Sequence, residues 1–312
     1  MELPLTDVRD PDAALEPDGF IVDAGEGDRI HFLDWGASTE GLERRPTLLA
    51  VHGLGQTAWI WAPVARRLGG PAGPIRFLAS DLRGHGLSDA PTEDGAYDLH
   101  ILAADVLAVA DGSGALDGDR LVIAGHGFGA MVAATAARQA GDRIAGLLLV
   151  DGGWESIEAA SGVDVDEFLR GLDEPPEVMA SLEAFLADRR GFDPESWDDD
   201  QDRAARATIV ETHAGRVVPS ARPHATEACV RAMFTYDPFT TLADLRIPIV
   251  ALAAADDEEG SRSRALANVS AVRIRAGADE IRVVRFPHDG HNLMRYRPRE
   301  VAAASLALAL AT

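Results

Sequence analysis

Short apolar-rich runs recur along the chain at 47–51, 75–80, 121–124, 144–150, 247–253 and 281–286, each followed by polar or glycine-rich residues. Runs this short, without alternation, suit strands covered on both faces, because a strand with one wet face alternates apolar and polar positions. Alternation of that second kind occurs near the start. Residues 20–23 and 30–35, joined by Gly25-Glu26-Gly27-Asp28, predict a hairpin at a sheet edge, with His31 and Asp34 among its polar positions. Helical spacing predicts helices over 58–68, 99–110, 128–140 and 298–310. In the third of these Ala130, Ala133, Ala134 and Ala137 share a face small enough to lie close to a sheet. Strands and helices in alternation imply an α/β fold: a mostly parallel central sheet with helices on both faces.

The rhythm breaks over 155–240, where no buried strand is evident. Asp173 before Pro175-Pro176 and Asp193 before Pro194 read as helix starts, and Leu182, Phe185 and Leu186, then Val230, Met233 and Phe234, recur at helical spacing. The expectation is one core, 1–154 and 241–312, carrying an inserted helical cap, 155–240, over the strand ends where ligands gather in such sheets.

The most specific chemical signal follows the run at 121–124. Gly125-His126-Gly127-Phe128-Gly129 passes straight into helix-compatible sequence, with the glycine spacing of a G-x-S-x-G nucleophile elbow. Glycine stands at the nucleophile position. Other landmarks fall in order: His52-Gly53-Leu54-Gly55 after the 47–51 run, 81–89 after the next, Asp256-Asp257 after 247–253, and Gly290-His291-Asn292-Leu293 before the last helix. Together they resemble the α/β-hydrolase superfamily, of the serine-hydrolase type with a helical cap. That resemblance implies His291 as base and an acid at Asp257 or the adjacent Asp256. Asp151 is a third candidate, since some relatives take the acid from the strand after the elbow helix. Backbone amides of Leu54 and Phe128 would serve as oxyanion donors, and Gly53, Trp154, Trp59 and Leu293 as pocket walls. His52, His85 and Arg83 fit a loop-shaping role.

Composition narrows the partners. A net charge of -22 argues against nucleic acid and anionic membrane surfaces. The acidic start, with Asp7, Asp10 and Asp12, lacks the basic and apolar regions of a secretory signal, and no apolar run reaches membrane-spanning length, so the expected setting is the cytoplasm. One cysteine, Cys229, excludes an internal disulfide and reads as a packed apolar residue. The acidic run 197–202 lacks the spacing of a calcium loop and reads as solvated helix. No metal or cofactor is expected, for the chain carries no phosphate-cradling, H-E-x-x-H or dinucleotide motif. The expected partner is a small-molecule substrate or ligand under the cap; the sequence leaves the oligomeric state open. Three functions follow: a carboxylic ester or lactone hydrolase impaired by Gly127, a non-covalent enzyme using His291 and its acid directly, or a small-molecule-binding pseudoenzyme.

Overall fold

The computed structural model describes residues 3–25, 27–36, 45–117, 120–172, 179–254 and 260–311. Eight strands form one sheet: β1 (Asp18–Asp23), β2 (Arg29–Asp34), β3 (Thr47–Val51), β4 (Arg76–Ser80), β5 (Leu121–His126), β6 (Ile144–Val150), β9 (Ile249–Ala254) and β10 (Arg282–Phe286). A separate antiparallel pair comprises β7 (Ile209–Glu211) and β8 (Val217–Pro219). The spatial order is β1-β2-β4-β3-β5-β6-β9-β10. The β1–β2 hairpin is antiparallel, as is β2 against β4, and every later pair is parallel.

The inner strands read as continuous apolar runs because both of their faces are covered. Along β3, Leu49 and Val51 enter one core while Leu48 and Ala50 enter the other. In β5, Ile123 parts from Ala124 in the same way. Helices α2 (Leu99–Gly112), α3 (Phe128–Ala140) and α10 (Ser261–Arg275) build the first core; α1 (Ala62–Leu68) and α12 (Pro298–Leu310) build the second. The helix expected over 58–68 is divided. Residues Ala58–Trp61 form a 3-10 turn and α1 starts at Ala62, because Pro63 suits a first helical turn where no amide donor is needed.

Between β6 and β9 lie α4 (Ile157–Ser161), α5 (Val165–Leu172), α6 (Leu182–Phe192), α7 (Asp199–Ala207), the β7–β8 pair, α8 (Pro223–Phe234) and α9 (Pro238–Ala243). The small sheet was not legible: three residues per strand are too few to show a period. Asp193-Pro194 starts no helix. Asp193 follows α6 and accepts the Ser196 hydroxyl at 2.7 Å, closing a turn. Helix α7 begins instead after Asp198, whose Oδ1 accepts the Gln201 amide at 2.8 Å. Asp173, Pro175 and Pro176 lie outside the described residues. In the acidic run, Asp200 pairs with Arg66 at 2.9 Å. Among the described residues no cluster could hold a metal ion, and no helix is long and apolar enough to cross a membrane.

Two glycines let α3 sit on the sheet. A Cβ on Gly129 would stand 2.3 Å from the His52 carbonyl oxygen, and one on Gly125 would stand 2.2 Å from that of Gly129. Both contacts are with backbone, which cannot rotate aside. Gly129→Ala is therefore expected to cost about 3 kcal/mol or more in urea denaturation. Gly171→Ala, with open space around it in α5, should be neutral or stabilising by up to about 1 kcal/mol. Equal effects would contradict this packing.

Candidate active site

Parallel register aligns the strand ends. Val51 pairs with Gly125, His126 with Val150, and Val150 with Leu252. The residues leaving those ends, His52 onward, Gly127 and Asp151, thus emerge side by side at the carboxyl edge of the sheet, where ligands bind in α/β folds. Gly127 bridges β5 and α3 with φ +54° and ψ -117°, a conformation that L side chains rarely adopt. Its amide donates to the Val150 carbonyl at 3.0 Å. The sharp turn of an elbow is thus formed around glycine.

His291, in the loop after β10 and just before α11 (Leu293–Tyr296), reaches this turn. A Cβ built on Gly127 lies 3.0 Å from His291 Nε2. On the far side of the ring, Nδ1 stands 2.6 Å from Asp151 Oδ2. A carboxylate only accepts, so Nδ1 carries the proton and Nε2 presents its lone pair towards residue 127. Asp151 has φ +47°, the only positive value among described non-glycine residues, and its Oδ1 accepts the Ala254 amide and Arg262 Nη1, both at 2.9 Å. Burial pushes its proton affinity up, yet the His291 hydrogen bond, the charges of Arg262 and His291 and the Ala254 amide outweigh burial. The carboxyl is held below the usual range.

Gly53, Leu54, Gly127, Phe128, Asp151 and His291 line one cavity of about 340 Å³. Phe128 opens α3, so its amide has no intrahelical acceptor. Asp256 and Asp257 lie outside the described residues; the carboxylate that meets His291 is Asp151. Three expected walls are elsewhere. Trp154 is buried in the core with α2 and α3, and Leu293 in the core with α1 and α12, because large apolar side chains gain more from burial than from facing a polar cleft. Trp59 also lies outside the lining, edge-on to Trp35 at 6.1 Å with the Arg203 guanidinium over its ring. Cys229 is buried, which pushes its thiol up to about 12, away from nucleophilic use.

Sequence reasoning missed Arg262, Glu155 and Gln56. Arg262 joins Asp151 to Glu155, whose Oε1 accepts its Nε at 2.9 Å. The side chain of Gln56 accepts the Gly53 amide at 3.0 Å, meets His126 Nδ1 at 2.9 Å and donates to Asn292 at 2.8 Å. None of the three belongs to a spaced motif, so only tertiary contact reveals them. The buried histidines frame the loops: His52 Nε2 accepts the Leu82 amide at 3.0 Å, and His85 Nε2 accepts the Gly55 amide at 3.1 Å. Arg83 grips Asp105 with two 2.6 Å bonds.

This geometry sets an imidazole, held at Nδ1 by a carboxylate, with its Nε2 beside an elbow turn. A model of the alpha/beta hydrolase family matches residues 48–304. The chain belongs to the alpha/beta hydrolase family. Among curated proteins it is 37% identical to Epoxide hydrolase A of Mycobacterium tuberculosis over 100 residues, 32% of this chain and 30% of that one. It is 30% identical to Epoxide hydrolase 4 of Mus musculus over 122 residues, 39% of this chain and 31% of that one. These matches span about a third of the relatives' length. Solved structures share the fold over nearly the whole chain. E-2-(Acetamidomethylene)succinate hydrolase has a TM-score of 0.75 at 21% identity, covering 95% of this chain and 100% of that one. An M. tuberculosis esterase has 0.67 at 22%, covering 95% and 93%.

Burial, followed by the neighbouring imidazole, pushes His126 down to about 3 and His85 down to about 4. Unfolded, each takes up a proton near 6.5. The unfolded chain therefore binds more protons below that pH, so stability present at pH 7 is lost as pH falls. The expected loss from pH 7 to pH 5 is about 2 kcal/mol for each histidine. His126→Gln should lower stability at pH 7 yet flatten the pH slope in urea denaturation by that amount. An unchanged slope would contradict a buried neutral His126.

Proposed function

We infer that this chain has the machinery of a carboxylic ester or lactone hydrolase, with Gly127 at the nucleophile position so that turnover as it stands is strongly impaired. The observation that carries this reading is the placement of His291 Nε2, 3.0 Å from where a side chain at 127 would begin, with Asp151 bonded to Nδ1. In such a hydrolase a hydroxyl at 127 would attack the acyl carbon, His291 would take and return its proton, and Asp151 would stabilise the imidazolium. The Leu54 and Phe128 amides would hold the oxyanion. Residues 155–240 would act as the cap over the core formed by 1–154 and 241–312; Ile157 and Met233 from that insertion line the cavity. Its modest volume suits a short acyl group.

The curated relatives raise epoxides as a second substrate class. Epoxide opening needs a donor for the departing alkoxide. Among the described residues the lining holds no tyrosine hydroxyl, and the guanidinium of its Arg262 is engaged by Asp151 and Glu155, which favours the ester.

Gly127→Ser tests this reading. Serine in this backbone conformation costs on the order of 1 to 3 kcal/mol, so the variant should fold with a lowered Tm. It should hydrolyse p-nitrophenyl acetate at least about 10,000-fold faster than the parent, and His291→Ala in the same background should abolish the gain. A folded but inert Gly127→Ser contradicts the reading. Turnover of an epoxide but no ester would move the chain to the second class.

A further inference from the structure

The side chain of serine is methanol with its carbon tied to the backbone. Around residue 127 the protein retains the surroundings of that group. A Cβ there would lie 3.0 Å from His291 Nε2, 3.4 Å from His291 Cε1 and 4.0 Å from Gly53 Cα, so the position is bounded by the imidazole on one side and the Gly53 turn on another. The imidazole is fixed from behind by Asp151, itself fixed by Arg262 and the Ala254 amide. Leu54 and Phe128 border the same cavity. A free carbon cannot take the Cβ position itself, one covalent bond from Gly127 Cα and 3.0 Å from His291 Nε2, but the shared cavity of about 340 Å³ leaves room beside it for a small hydroxyl compound whose oxygen reaches Nε2.

Resting on the ester-hydrolase reading, we propose that the protein as it stands transfers an acyl group from an ester directly to water or a one-carbon alcohol held in the cavity beside residue 127, with no covalent enzyme intermediate. His291 Nε2 takes the hydroxyl proton as the hydroxyl oxygen bonds the acyl carbon. The carbonyl electron pair moves onto its oxygen, facing the Leu54 and Phe128 amides. The tetrahedral species then collapses, the bond to the leaving oxygen breaks, and that alkoxide takes the proton back from His291. Methanol yields a methyl ester and the leaving alcohol; water yields the acid and the same alcohol. The acceptor is untethered, so the advantage of an intramolecular attack is lost and the reaction needs a high acceptor concentration.

The test incubates the full chain with p-nitrophenyl acetate and increasing methanol, measuring methyl acetate and nitrophenolate. Methyl acetate should form about 100-fold faster than with His291→Ala and should saturate in methanol. The intact protein should show no acetyl adduct by mass. Gly127→Ala places a methyl group 3.0 Å from His291 Nε2, between that nitrogen and the acceptor, and should remove the methanol-dependent reaction while keeping the native circular dichroism spectrum. Methanolysis that is linear in methanol, equal in His291→Ala, or undiminished in Gly127→Ala overturns the proposal. If Gly127→Ser hydrolyses the ester but the parent makes no His291-dependent methyl acetate, the direct transfer falls and the ester-hydrolase reading stands. Failure of both removes both.

Discussion

A 2.6 Å hydrogen bond joins Asp151, at the end of β6, to His291, in the loop after β10. It fixes which imidazole nitrogen is protonated, and thereby which one faces the elbow. Everything chemical in the cavity depends on that choice, since an imidazole with its proton on Nε2 could accept nothing from residue 127. The bond in turn depends on the sheet. Asp151 leaves its strand beside Gly127 because β5 and β6 pair in parallel, and its other oxygen is held by the next strand through the Ala254 amide. Tertiary alignment of strand ends, rather than any local motif, brings the pair together.

Around this pair the protein spends stability on shape. Gly127 and Asp151 both hold left-handed backbone, and a Cβ on Gly152 would stand 2.6 Å from the Gly127 carbonyl oxygen, so the two turns touch. Glycine at 127 relieves strain that a serine would carry. The turn nevertheless keeps the elbow form, because the Gly125 and Gly129 approaches that seat α3 do not involve the side chain at 127. Glycine at 127 is thus compatible with an otherwise complete fold, in which the Asp151–His291 pair forms without any side chain at 127.

The sheet and its flanking helices were legible because their signals are long and physical. Strands covered on both faces read as apolar runs, and α3 announced itself by its alanines. The elbow was legible through glycines that backbone contact demands. Less was readable where a short element or a tertiary contact decides. The β7–β8 pair is too brief for a period, and Pro194 marks a turn held by a side-chain bond to Ser196. Trp154, in the loop after β6, and Leu293, the first residue of α11, lie near the site yet are buried in the cores. Which carboxylate meets His291 was open among three, since Asp151, Asp256 and Asp257 all follow strands, and composition does not distinguish them. Arg262 has no motif at all; its relevance lies in the oxygen it binds.

His291 is held by Asp151, and proton NMR of the histidine ring reads this contact directly. The Nδ1 proton of His291, bonded to a carboxylate at 2.6 Å, should give a strongly downfield signal with nitrogen shifts of the Nδ1-protonated tautomer. That signal should vanish in Asp151→Asn and persist in Asp256→Asn and Asp257→Asn. A signal that survives loss of Asp151, or nitrogen shifts placing the proton on Nε2, would contradict the account at its centre.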